Sequence, residues 1–403
     1  MGLAAYGELR EDWLPLASEY VTRYAKLAPR QIEGLDNYGK AHRINSIALD
    51  RISDLQPFVQ PAAAEAPAGW RARLGAWARA TPDAELLLPG ADHHLAQALA
   101  HTVQHAWTEQ VLELLSRFRN ISRNVCIVGG CALNGITNYA VEQSGLFERA
   151  HFVPNPTDCG LSAGAALHAF YSLSGASFDG APEPFSAYLG SEPFDADQLP
   201  GFKAQFPHRV IEGGDEAVAA TLASLIHADQ IVGVVRGRYE VGPRALGNRS
   251  ILCNPLNADM RQVLNDKVKH REWYRPFAPV VAAEDAPTYF TNTADIPYMS
   301  VICFTRPEYR AMLPSITHVD GSARVQTVRQ AQHPFLHATL KAFERAAGVP
   351  VLLNTSFNPG GEPILNYYGV ALDMLTNTGL DLVLFDNVLF AKPTEAERLQ
   401  LAR

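Results

Sequence analysis

The sequence predicts an α/β protein built as two units, and three observations carry that expectation. Short apolar runs of strand composition, such as NVCIV at 124–128 and IVGVV at 231–235, alternate with segments of helical periodicity. Glycine-bearing turns, Gly129–Gly130 among them, stop several of those runs. A stretch rich in Gly, Pro, Ser and Asp, residues 172–200, then interrupts the pattern before it resumes. A chain of 403 residues has length enough for two or three domains, each with its own core. The boundary is set at 177–199, giving units 1–176 and 200–403.

In chain order, residues 1–90 carry weak periodicity with many Ala and Pro, and no element is assigned there. Residues 92–119 place Leu95, Leu99, Val103, Trp107 and Val111 at steps of four, an amphipathic helix. The strand NVCIV follows, then the Gly129–Gly130 turn and a helical Cys131–Glu148. HFVPNP reads as another short strand. The small-residue segment CGLSAGAALHAFY after Thr157–Asp158 reads as a helix packed close to a sheet. Past the break, Ala217–His227 is helical, IVGVV is a buried strand, and 258–270 is helical again. Strands are expected at 279–281, 300–304, 349–354 and 381–385.

Composition narrows the classes. Apolar residues make up 47% and charged residues 19%, the proportions of a soluble globular protein. No apolar run approaches the roughly 18–20 residues that a bilayer span needs. The opening MGLAAYGELRED lacks the basic-then-apolar layout of a signal peptide. Five cysteines, odd in number and mostly inside apolar segments, predict a reduced, cytoplasmic setting. A net charge of -8 argues against a nucleic-acid partner, though a local basic site can still exist, and the lack of a long apolar run argues against a membrane.

Against that acidic background, RGRYEVGPRALGNRS at 236–250 concentrates arginine and glycine. KVKHREWYRPFAP adds Lys267, Lys269, Arg271 and Arg275; HVDGSARVQTV contains Arg324; LLNTSFNPGGEPI runs a strand into Asn354, Thr355 and Ser356. Glycines let backbone N–H groups approach an anion, and arginine's planar fork suits bidentate phosphate recognition. Ser and Thr at a strand end can hold further phosphate oxygens or Mg2+. No GxxxxGK[ST] loop is present. Any one of these arginines can equally pair with a surface acid. Pro243–Arg244 resists that reading, because an unpaired buried arginine is costly. The chemistry points to a polyphosphate or acyl-phosphate site.

In this order, GRYEVGPRALGNRSIL, KVKHREWYRPFAPVV, PSITHVDGSARVQTV and PVLLNTSFNPGGEPI resemble the C-terminal domain of the NodU/CmcH-type O-carbamoyltransferases. MGLAAYG, GGCALNG and the 152–167 segment extend the resemblance into the first unit. It implies a partial ASKHA (actin-like) domain followed by a YrdC-like α/β domain. The YrdC-like domain would make carbamoyladenylate from carbamoyl phosphate and ATP, the latter with Mg2+. The carbamoyl group would then pass to the hydroxyl of a small-molecule acceptor. Arg244, Lys269, Arg275 and Arg324 would grip the phosphates, and Asn354 and Ser356 would complete the pocket. Nucleotidyl transfer suits such a site, since its catalysis is largely positioning and cationic stabilisation.

In the first unit, GGCALNG by itself is only a tight turn. The resemblance makes Gly129, Gly130 and Asn134 contacts of the adenylate. It also makes Asp158 a ligand of the family's catalytic iron, where the sequence alone suggests a helix cap. Complete members carry a long segment before MGLAAYG, with the first half of the actin-like domain, its catalytic carboxylate and an HxxxH metal motif. Here Met1 coincides with that motif. The expectation is therefore half an actin-like domain, iron not held by this chain alone, and a possible N-terminal partner chain. His101 and His105, at i and i+4, form a workable metal pair, but they precede the GGCALN strand, where the family has a helix containing Gln and Glu, matched by Gln104 and Glu109. They are read as ordinary surface histidines. Two other readings stand beside O-carbamoyl transfer: a nucleotide-binding remnant or partner subunit, and a tRNA threonylcarbamoyl-modification protein. Low basicity and the GPRALGNRS and NTSFN segments argue against the last.

Overall fold

The computed structural model describes residues 3–15, 17–18, 21, 93–176, 186–271, 274–291 and 295–402. Expectations for residues 22–92 and for 177–185 fall outside these, as do the side chains of Leu95 and Leu99. Two compact units emerge: Met1–Arg123 with Ala140–Glu148 and Arg271–Arg275, and Asn124–Tyr139 with Arg149–His270 and Pro276–Arg403. The second unit therefore contains the GGCALN turn and the Asp158 segment as well as the arginine loop.

In the first unit, helix α1 (His93–Ser116) forms from a run with neither Gly nor Pro, rich in Ala, Leu, Gln and Glu. It buries Ala98, Thr102 and Ala106, and Ala17 and Val21 pack in the same cluster as Ala106. The helical turn Leu3–Tyr6 lies against it: the half-buried His101 donates from Nδ1 to Ala4 O at 2.9 Å. Arg10 N donates to Thr102 Oγ1 at 3.1 Å.

In the second unit, strands β1 (Asn124–Ile127) and β2 (Arg149–Phe152) pair in parallel as a two-stranded sheet. Between them come the GGCALN turn and α2 (Gly135–Gln143). Helix α3 (Leu161–Ser174) follows. The expectation that α3 packs close to a sheet is not met. Its residues are exposed almost throughout, Leu167 at 56%, Phe170 at 57% and Leu173 at 87%. Small residues gave it the composition of a buried helix, and among the described residues nothing covers it.

The main sheet has eight strands. They are β3 (His208–Val210), β4 (Val232–Val235), β5 (Arg249–Cys253), β6 (Ala278–Ala282), β10 (Gln326–Val328), β11 (Val351–Ser356), β12 (Leu382–Phe385) and β13 (Val388–Ala391), in the order β10-β6-β11-β5-β4-β12-β13-β3. Only β10–β6 and β12–β4 are parallel. A small sheet, β7 (Phe290–Thr291), β8 (Cys303–Thr305) and β9 (Ser322–Ala323), stands beside it. Strand β4 is buried along its whole length because β5 and β12 flank it and helices cover it. Helix α4 (Gly214–His227) packs on β4 and α5 (Pro334–Ala347) on the neighbouring β6 and β11, with Leu222, Leu225, Ile226, Leu336, Leu340 and Phe343 in one core. The helix expected at 258–270 is α-helical over Met260–Leu264 and widens into a π turn over Asn265–Lys269. Helix α6 (Tyr368–Asn377) starts on Asp195, whose carboxylate accepts from Tyr368 N at 2.7 Å and Gly369 N at 2.8 Å.

Residues 186–191, within the Gly- and Pro-rich segment, run alongside the arginine loop. Gly190 N donates to Tyr239 O, Tyr239 N to Ser191 O and Val241 N to Ala187 O. Among the described residues no helix is long and apolar enough to cross a membrane.

Candidate functional site

The strand registers gather the polar motifs at one end of the main sheet. Ser356 faces Ser250, Asn354 faces Ala278, Gln326 faces Val280, and Val235 faces Arg249. The start of β5, the end of β11 and the starts of β6 and β10 therefore lie together. The loop 236–248, which joins β4 to β5, crosses the same end. Arg244, Arg324, Asn354 and Ser356 share this neighbourhood through topology alone.

Two arginines of the loop have opposite roles. Arg249 is fully buried and gives five hydrogen bonds: Nε and Nη2 to Asn366 Oδ1, Nη1 to Arg236 O and Asn248 O, and Nη2 to Gly237 O. Its guanidinium is spent on the fold. Arg244 is half-buried, and its buried Nε finds no hydrogen-bond partner among the described residues. Burial lowers its pKa, and no carboxylate offsets that. A buried cation without an anion is expensive, so this is the arginine an anionic ligand would stabilise.

Glu240 organises the loop. It is fully buried, and its Oε1 accepts from Leu246 N at 2.8 Å, Asn248 N at 2.8 Å and Arg249 N at 3.1 Å. Burial raises its pKa, against the pull of those backbone donors and of Arg249. Gly242, at φ 124°, allows the loop to meet the PNPTD segment: a Cβ there would sit 2.2 Å from Pro154 O. Gly247, at φ 126°, passes over helix α5, where a Cβ would lie 2.7 Å from Leu336 Cδ2.

Behind Arg244 runs an amide relay. Asn354 Nδ2 donates to Ala245 O at 3.2 Å and to Gln326 Oε1 at 2.8 Å, and Gln326 Nε2 donates to Leu246 O at 2.8 Å. Both side chains are 1% exposed, and Asn354 Oδ1 has no partner among the described residues. An unpaired buried acceptor costs about 1–3 kcal/mol.

Lys269 is buried, with its ammonium donating to Ser356 O, to Asn358 O at 3.2 Å and to Asn358 Oδ1 at 2.9 Å. Ser356 Oγ in turn donates to Asn358 Oδ1 at 2.6 Å and lies 3.5 Å from Lys269 Nζ. An ammonium so close disfavours a divalent cation on that hydroxyl and favours an anion. Arg324 is half-buried between β9 and β10. Arg275 is exposed and belongs to the segment grouped with the first compact unit.

Gly129 and Gly130 form an exposed turn whose Cβ positions are open, and Gly129 N donates to Pro156 O at 2.6 Å. Asn134 Oδ1 accepts from Thr137 N at 3.3 Å, a helix-capping contact at the start of α2. Asp158 is exposed at the first position of a short turn, with Thr157 in the cap position, so its carboxylate does not cap the turn as the sequence alone suggests. No group of three or more His, Cys, Asp and Glu able to hold a metal occurs among the described residues. A lone exposed carboxylate does not fit an iron centre.

The sequence reading missed Glu240, Arg249 as scaffold, Asn358 and Gln326. Asn354 and Ser356, two apart on β11, share a face, but Gln326 had no such signal, because Arg324 lies between β9 and β10 and not on a strand with it.

Residues 223–392 match the family model "Carbamoyltransferase C-terminus", and residues 81–167 match "Carbamoyltransferase N-terminus". The chain belongs to the carbamoyltransferase family. Its relatives include Nodulation protein U of Rhizobium tropici, 36% identical over 68% of this chain and 45% of the relative. Nodulation protein NolO of Bradyrhizobium diazoefficiens is 35% identical over 70% of this chain and 52% of the relative. The 3'-hydroxymethylcephem-O-carbamoyltransferase of Amycolatopsis lactamdurans is 40% identical over 60% of this chain and 43% of the relative. The chain spans about half the length of the curated relatives it matches. The C-terminal carbamoyltransferase region takes in all the polar groups of the sheet end, from Arg244 to Ser356.

Proposed function

We propose that this chain is the C-terminal part of an O-carbamoyltransferase whose YrdC-like domain, residues 200–403, makes carbamoyladenylate. Water would hydrolyse carbamoyl phosphate to carbamate and inorganic phosphate, and a carbamate oxygen would attack the α-phosphorus of ATP, releasing pyrophosphate. An acceptor hydroxyl on a small natural product would then attack the carbamoyl carbon and release AMP, in the partial ASKHA domain (1–176). The observation that carries the reading is Arg244, a half-buried arginine whose buried Nε has no partner among the described residues, on a loop that Glu240 and Arg249 tie down. In this reading Arg244, Lys269 and Arg324 neutralise phosphoryl oxygens, Ser356 turns its hydroxyl from Asn358 Oδ1 to one of them, and Asn354 faces the carbamoyl end. Arg275 would join them as a phosphate ligand. Gly129, Gly130 and Asn134 would receive the adenylate for transfer. Mg2+ would enter with ATP, and Asp158 would serve iron only with ligands from elsewhere.

The test is carbamoyl phosphate-dependent exchange of pyrophosphate into ATP by the 403-residue chain. Arg244→Ala should reduce it at least about tenfold, the scale of one charge-assisted phosphate contact of roughly 1.5–3 kcal/mol. Exchange unaltered in the variant would remove Arg244 from the site.

A second reading, a subunit that needs another α/β segment for transfer, is favoured by the exposed apolar face of α3. Carbamoylation of a hydroxyl acceptor by this chain alone, detected by mass spectrometry, would exclude it.

A further inference from the structure

Two buried amides meet behind Arg244, and backbone carbonyls fix the orientation of both. A carbonyl oxygen only accepts, so Leu246 O requires the NH2 of Gln326 to face it, at 2.8 Å. That turns Gln326 Oε1 the other way, where it accepts from Asn354 Nδ2 at 2.8 Å. Ala245 O, at 3.2 Å, claims the same NH2 group of Asn354. Both protons of Asn354 are therefore committed, and only its carbonyl oxygen remains. That Oδ1 is buried and has no partner among the described residues, while the side chain as a whole is 1% exposed. The relay has one polarity from end to end: a carbonyl on the arginine loop, a glutamine on β10, an asparagine on β11, and a spare acceptor.

We infer that Gln326 is a positioning residue that holds Asn354 Oδ1 as an acceptor for the NH2 of a carbamoyl group, so that the site selects carbamoyl phosphate over acyl phosphates of the same size. The inference rests on the carbamoyl phosphate reading above. Carbamoyl phosphate and acetyl phosphate carry the same charge and nearly the same shape; they differ where one has NH2 and the other CH3. A phosphate-gripping arginine does not tell them apart. A fixed acceptor does, because a methyl group against it leaves a buried polar atom unpaired. If Asn354 were free to turn over, its NH2 would face the ligand and the preference would weaken. Gln326, the shorter of the two contacts at 2.8 Å against 3.2 Å for Ala245 O, opposes that turn without touching the ligand itself.

The experiment measures dissociation constants of carbamoyl phosphate and acetyl phosphate by calorimetry on the full chain, as wild type, Gln326→Met and Gln326→Glu. The wild type should prefer carbamoyl phosphate by about tenfold or more. Gln326→Met, which keeps length but has no strong donor or acceptor, should bring that ratio below about threefold by weakening carbamoyl phosphate alone. Gln326→Glu stays protonated in this buried, carbonyl-lined place, keeps a donor and an acceptor, and should hold most of the preference. Acetyl phosphate affinity serves as the folding control within each sample, and the wild-type ratio needs no variant. Equal binding of the two ligands by the wild type would overturn the inference and leave the acyl-phosphate site standing. Equal weakening of both in Gln326→Met would reduce Gln326 to a packing role. Binding of neither ligand by the wild type would refute the proposed function, and the inference with it.

Discussion

Replacing Arg249 by Met isolates what the arginine loop owes to its fully buried guanidinium. The substitution removes five hydrogen bonds and strands three acceptors, Arg236 O, Gly237 O and Asn366 Oδ1, while Asn248 O keeps the Arg236 N–H at 3.0 Å. Each stranded acceptor costs on the order of 1 kcal/mol when water cannot reach it, so the loss is about 3 kcal/mol. Methionine recovers packing along the stem but none of the polar contacts. For a unit of this size, about 3 kcal/mol lowers the melting temperature by roughly 6–12 °C. Thermal unfolding followed by circular dichroism reads this directly, with Arg244→Ala measured in parallel. Arg244→Ala should melt at or slightly above the wild type, because it removes a buried charge that lacks an anion. A melting temperature for Arg249→Met within about 2 °C of wild type would refute the division of labour between the two arginines.

Three further outcomes are expected. His333 is buried, with Nδ1 accepting from Leu336 N and Nε2 donating to Asn248 Oδ1, and burial followed by the charge of Arg236 lowers it to about 4. The unfolded chain, titrating near 6.5, then binds more protons than the fold between about 4 and 6.5; stability should fall by about 3 kcal/mol as pH drops through that window, and His333→Gln should flatten the slope in urea titrations. Burial raises Glu240, so the fold is the more protonated state just above the ordinary carboxylate value of 4.5; Glu240→Gln should abolish a loss of stability on raising pH through that range. Phe170→Glu and Leu173→Glu on the exposed face of α3 should leave the melting temperature within about 1 °C and reduce self-association in light scattering, whereas a clear loss of stability would mean that this face is covered.

Much of this was legible in the chain. The runs at 231–235, 349–354 and 381–385 became β4, β11 and β12 within a residue or two, because a central strand needs continuous apolar residues. The motif residues converge because those strands end where the motifs begin. What stayed hidden were properties of pairing. No spacing in the sequence says that Arg249 faces four backbone and amide acceptors while Arg244 does not. Nor does the sequence show that Glu240 spends one oxygen on three backbone donors, since that depends on the turn of the loop. Helix α3 shows the opposite failure: its small residues read as buried, and burial is decided by what lies opposite, which local sequence does not specify.

The strip of chain just before the main sheet bears on how the protein can be divided. Residues 187–191 form lateral hydrogen bonds along the arginine loop, and Asp195 closes the start of α6. A gene divided at codon 199, where the composition changes, would deliver the C-terminal sheet without those ties. Its arginine loop would be left with an open flank, and the first turn of α6 without its cap. A division placed upstream of codon 186 would carry both along, so a seam for making the C-terminal sheet separately lies ahead of the strip.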